Sequence, residues 1–139
     1  MKVSINRVNE AVHFEGTSET TDVRVHIDGS PDIGGEGLGA RPMELVLMAL
    51  GSCSALDFVN ILKKQRQQIN DLKIDVEGRR RDEIPRIFTN IHLTFSLKGP
   101  IDNAKAEKAA ELAVKKYCSV HDMLAAGGVA ITYSINIQP

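Results

Sequence analysis

Apolar and polar positions change rhythm several times along this chain, and each rhythm predicts an element. Val23, Val25 and Ile27 alternate with polar neighbours, and weaker alternations run from Lys2 to Val8 and from Ala11 to Glu15. A period of two turns every second side chain to one face, so an N-terminal meander of three strands is expected. From Pro42 to about Lys64 only Gly51 interrupts a run of helix-compatible residues. Proline suits a first helical turn, and the stretch reads as one long helix. Met43, Leu45, Val46, Leu47, Met48, Ala49 and Leu50 surround its first three turns, which leaves no polar face and predicts full burial there. The polar run KKQRQQ, Lys63 to Gln68, then emerges into water.

Alternation returns at Leu72, Ile74 and Val76 and again from Ile87 to Leu97, with the charged segment RRRDEIPR between them. Two strands joined by a charged hairpin turn are expected. Asp102 or Asn103 can cap a second helix to about Tyr117, with Ala106, Ala109, Ala110, Leu112, Ala113 and Tyr117 as its apolar stripe. Ser119, three residues before Asp122, resembles a capping box for one or two further turns closed by Gly127 and Gly128. Val129, Ile131, Tyr133, Ile135 and Ile137 alternate as a last strand. The predicted order is β-β-β-α-β-β-α-α-β, an α+β fold with a mainly antiparallel sheet, in a single domain over residues 1–139. A six-stranded sheet covers only one side of the central helix, whose all-apolar start asks for a further cover. A second copy of the chain is the simplest cover, giving a homodimer with the central helices together; the other helices of the same chain compete for that place.

The segment GSPDIGGEGLGARP, Gly29 to Pro42, stops regular structure and reads as a mobile loop placed to act as a lid. Its GGEGLG core has neither the GxGxxG spacing nor the lysine and hydroxyl of a phosphate-binding loop, so no nucleotide cofactor is expected.

Composition narrows the partners. The 139 residues carry a formal charge of -1, with 42% apolar and 25% charged residues, so nothing global favours nucleic acid or an anionic membrane. A chain of this size can bury about two thirds of its unfolded surface, and with aromatics at 4% and no tryptophan its core must be aliphatic. The longest uncharged run, Leu45 to Leu56, is shorter than the roughly 20 apolar residues of a membrane span, and MKVSINRVNE lacks the apolar core of a signal peptide. A cytoplasmic location is expected. Arg79, Arg80, Arg81 and Arg86 are interleaved with Glu77, Asp82 and Glu83 and lack stacking aromatics, as in a solvated hairpin tip.

Chemistry concentrates on the two cysteines. Cys53 lies in MALGSCSALD, flanked by small residues inside the central helix, and Cys118 lies where the second helix breaks. Each can be a small core hydrophobe or a working thiol. In a cytosolic chain such a pair is a poor structural staple. Asp57, one turn beyond Cys53, can hold an arginine or form a plain ion pair. His121 completes Cys-x-x-His with Cys118, which offers two ligands where zinc takes three or four, with His13, His26 and His92 on predicted strands; no metal is expected.

Three segments carry a resemblance: PMELVLMALGSCSALDFVNILKKQR (Pro42 to Arg66), RRRDEIPRIFTNIHLTF (Arg79 to Phe95) and KYCSVHDML (Lys116 to Leu124). With them the chain resembles the OsmC/Ohr family, most closely its YhfA-like branch. The resemblance implies an intertwined homodimer whose sheets wrap a pair of long buried central helices. It implies thiol-dependent reduction of organic hydroperoxides, with Cys53 attacking and Cys118 resolving, reset by an external dithiol reductant and with no cofactor. It further implies an arginine near the attacking thiol, steadied by a glutamate at the helix start. Glu44 matches the glutamate, and Arg24 or Arg41 can be the arginine, Arg24 being preferred. A non-catalytic sensing or ligand-binding module on the same fold is the competing reading.

Overall fold

The N-terminal alternation forms the predicted meander. Strands β1 (Val3–Arg7), β2 (Phe14–Ser18) and β3 (Thr21–Ile27) pair antiparallel, with an irregularity at Thr17/Ser18. The second strand starts later than the weak alternation at Ala11 to Glu15 implies, because Asn9 folds the approach into a turn: its side-chain oxygen accepts from the Ala11 and His13 amides. The computed structural model describes all 139 residues, Met1 to Pro139. They gather into two compact units, Met1–Val46 and Leu47–Pro139.

In the first unit, the glycine-rich loop is fastened rather than free. It forms a 3-10 turn at Pro31–Ile33 and returns to β3 through a parallel bridge between Ile27 and Ala40. Asp28 is the fastening: its buried carboxylate accepts from the Gly29, Glu36 and Leu38 amides at 2.8, 2.9 and 3.0 Å. Those bonds hold its carboxyl below the ordinary range, the Leu38 amide contributing most and burial opposing. Gly35 is required here, since a Cβ would stand 1.8 Å from the Gly29 carbonyl oxygen.

Helix α1 (Pro42–Lys64) has the predicted bounds. The second unit places its later turns over a sheet of β4 (Asp71–Arg80), β5 (Phe88–Lys98) and β6 (Ala130–Gln138), in the order β4-β5-β6. The expected six-stranded sheet is therefore replaced by two three-stranded ones; periodicity shows which face a strand buries, not which strand it joins. β4 and β5 are antiparallel, whereas β6 runs parallel to β5. Three of the four strand pairings are antiparallel. A parallel neighbour needs a long crossover, supplied here by α2 (Asn103–Glu111), a π-helical turn (Leu112–Tyr117) and α3 (Ser119–Ala126).

The register aligns one apolar face: Val76, Leu93 and Tyr133 are neighbours across the sheet, as are Ile74, Phe95 and Ile135. On the other face, His92 is held by the hydroxyls of Thr132 and Ser134 at 2.7 and 3.0 Å. Leu50, Phe58 and Leu62 of α1 are fully buried, and the Phe58 ring meets Phe95 at 4.9 Å between centroids. Each such side chain contributes roughly 1.5–3 kcal/mol of burial. Gly51 lets α1 come close to β4, since a Cβ there would meet the Val76 side chain at 2.8 Å.

Two expectations fail at the helices. The start of α1 is not fully buried within one chain: of its seven apolar residues from Met43 to Leu50 only Leu50 is buried, and Met48 stands exposed. Over its most apolar 18 residues α1 has a mean hydropathy of 1.9, enough by length and composition alone to cross a membrane, a test that core helices also pass. Tyr117 is exposed and Val114 buried in its stead. The π-helical turn inserts an extra residue per turn, which rotates the following side chains off the predicted stripe.

Candidate active site

The second unit brings the two cysteines together. Cys53 is half-buried on α1, and Cys118 is almost wholly buried immediately after the π-helical turn. Turns of this kind often sit at functional positions, because they re-aim a side chain without ending the helix. Cys118, not Ser119, caps α3: its backbone is extended, and its sulfur accepts from the His121 amide at 3.3 Å. Sequence reasoning put the cap one residue late, since serine is the commoner cap.

Neither sulfur is in a disulfide, and Cys53 is close enough to act on the Cys118 thiol. Burial pushes the Cys118 thiol up, the His121 amide draws it back, and hydrogen bonding to Cys53 raises it again. Burial is the largest of these, so the balance favours the neutral thiol at Cys118. No arginine or lysine is among the groups acting on the Cys118 sulfur.

Ser54 completes the cluster. It is fully buried, and its hydroxyl finds no partner of hydrogen-bond geometry. The hydroxyl does lie close enough to the Cys118 sulfur to favour its thiolate. Sequence reasoning treated Ser54 only as one of the small residues that flank Cys53, although a signal was there: Leu50, Ser54, Phe58 and Leu62, spaced by four, lie on the buried face of α1. Asp57 is half-buried on the same helix and joins no ion pair in the chain.

The other expected site residues belong to the first unit. Arg24 extends from β3 and pairs with Glu15 of β2 at 3.0 Å, its side chain 67% exposed. Glu44 accepts from the backbone amide of Arg41 at 2.9 Å, as the third residue of a helix does when it reaches back to the cap. Its carboxylate holds the start of α1 and is not bonded to a guanidinium. Arg41 acts instead on the nearby Asp32, whose carboxyl lies below its ordinary value mainly through a hydrogen bond from Ser30. His13 and His26 bond each other at 2.9 Å between Nε2 and Nδ1. No three histidine, cysteine or carboxylate side chains converge as a metal site.

Comparison with known proteins follows this geometry. The family model described as OsmC-like protein matches residues 34–134, which includes both cysteines and Ser54. The chain belongs to the OsmC family. It is 45% identical over 97 residues to Protein YhfA of Escherichia coli strain K12, covering 69% of this chain and 72% of that protein. A crystal structure of a hypothetical protein from Aquifex aeolicus VF5 is similar with a TM-score of 0.81 at 31% identity, over 99% of this chain and 97% of that one. A structure described as an organic hydroperoxide resistance protein OsmC, from Legionella pneumophila, has a TM-score of 0.71 at 16% identity, covering 97% and 95%. At that identity the likeness speaks for the OsmC fold alone.

Proposed function

We propose that this OsmC protein reduces organic hydroperoxides through its cysteine pair. The observation that carries the reading is a half-buried Cys53 near a buried Cys118 in one unit, both free thiols. Cys53 attacks as a thiolate: its sulfur takes the terminal peroxide oxygen, the O–O bond breaks, and the alkoxide takes a proton from solvent and leaves as the alcohol. Cys118 then displaces hydroxide from the sulfenic sulfur, giving a disulfide and water, and an external dithiol restores both thiols. Membership of the family, and structural neighbours described as organic hydroperoxide resistance proteins, support this class of substrate.

The assembly we infer is a homodimer in the cytoplasm. Met48, Leu56 and Val59 leave an apolar strip of α1 uncovered in one chain. In the first unit, Val3, Ile5, Val23, Val25, Ile27 and Leu45 line an open apolar trough of about 320 Å3. A second copy of the chain supplies apolar surface of the same kind to both. Two free thiols suit a reducing compartment. The cation that favours the Cys53 thiolate is proposed to be Arg24 in the assembled dimer, with Arg41 as the rival.

The test is turnover of an organic hydroperoxide with a dithiol reductant. Cys53→Ser is expected to abolish consumption, on the order of a thousandfold or more, and Cys118→Ser to accumulate a sulfenic acid at Cys53 visible by mass spectrometry. Serine keeps an oxygen acceptor at the α3 cap, so the second variant retains its fold. Equal consumption by Cys53→Ser overturns the mechanism, and no consumption by any variant leaves a binding or sensing module.

A further inference from the structure

The two serines that flank Cys53 behave differently. Ser52 does what a mid-helix serine ordinarily does, giving its hydroxyl to the Met48 carbonyl at 2.7 Å. Ser54 has the same option on its own turn and does not use it; its hydroxyl, fully buried, stays without a partner of hydrogen-bond geometry. A buried hydroxyl is seldom left this way, and one that is calls for an explanation. The group its hydroxyl acts on is the Cys118 sulfur, which already receives the His121 amide at 3.3 Å. A neutral thiol is a weak acceptor, whereas a thiolate is a strong one, so the same arrangement is underused at rest and fully used once Cys118 ionises.

We propose that Ser54 is held in reserve as a second donor to Cys118, closing its hydrogen bond only as that sulfur becomes a thiolate. This rests on the cysteine chemistry proposed above and assigns its resolving step. There, the Cys118 sulfur forms the S–S bond with the Cys53 sulfur while the S–O bond of the sulfenic acid breaks. Cys118 first releases its proton to solvent and becomes the thiolate, and the hydroxide displaced by its attack takes up a proton from solvent and leaves as water. Cys118 is oxidised, the sulfenic sulfur is reduced, and the electrons balance with the hydroperoxide as the original oxidant. Ser54 keeps its own proton throughout and, with the His121 amide, stabilises the anionic sulfur before it attacks.

The decisive measurement does not involve peroxide. In Cys53→Ser the only remaining thiol is Cys118, and its thiolate is followed by ultraviolet absorbance against pH while circular dichroism confirms that the protein stays folded. Adding Ser54→Ala is expected to move the titration upward by about one unit, which is about a tenfold smaller thiolate fraction at a fixed pH below the midpoint. The thermal midpoint should hold or rise, because the lost hydroxyl had no partner. A titration that does not move overturns the proposal, as does a lower thermal midpoint with an unmoved titration, which assigns Ser54 to packing. Hydroperoxide consumption is scored separately in the wild type, so failure of the enzymatic reading and failure of this one are read from different experiments.

Discussion

Asp28 and Ser54 are both buried polar side chains, and their surroundings treat them in opposite ways. Asp28 receives three backbone amides, one on Oδ1 and two on Oδ2. Ser54 is equally hidden and has no partner of hydrogen-bond geometry. A buried polar group that is satisfied organises its neighbourhood; one that is unsatisfied costs roughly 1–3 kcal/mol and needs another justification. In the first unit that organisation is a loop tied to a strand, and in the second the justification is a sulfur close by.

The largest effect expected short of the cysteine variants comes from removing the packing under Ser54. Phe58→Ala, one turn further along α1, should destabilise the second unit by about 3–5 kcal/mol in a urea titration, because the ring is fully buried against Phe95. A much smaller loss would mean that α1 is not seated as described, and the contrast would lose its footing. Next, Asp28→Ala should lower the thermal midpoint by several degrees and speed amide exchange at Glu36 and Leu38, whereas Ser54→Ala should not lower it. If both variants destabilise alike, the distinction between a satisfied and a reserved group falls.

The smallest effect is one of pH. The Asp28 carboxyl is depressed in the folded chain, so its contribution is fully present above the ordinary carboxylate value, near 4, and is lost as pH falls through the lower folded value. Amide protection at Leu38 should therefore persist at about pH 4 and fade on further acidification. Asp28→Asn should remove that dependence.

Much of the fold was legible in the sequence because it depends on periodicity. Alternation located all the strands of the second unit, and α1 began at Pro42 as its proline indicates. What escaped were features without a periodic signal. The division into two sheets is decided by pairing, and the π-helical turn by hydrogen bonds that the residues Leu112 to Tyr117 do not advertise. The loop anchored by Asp28 looked free because its ligands are backbone amides, which every sequence contains. The cysteine pair was legible through the family resemblance, and the serine beside it was overlooked even though it interrupts an apolar stripe spaced by four. No arginine is among the groups that act on the Cys118 sulfur, and Arg24 and Arg41 belong to the first unit.

The cap of α3 is made by a sulfur whose lone pairs are also its chemistry. Any reagent that ties up those electrons, whether an alkylating agent or a second sulfur, weakens the grip on the His121 amide and frays the first turn of that helix. The solvent exchange of the His121 peptide proton should thereby follow the chemical state of the Cys118 sulfur.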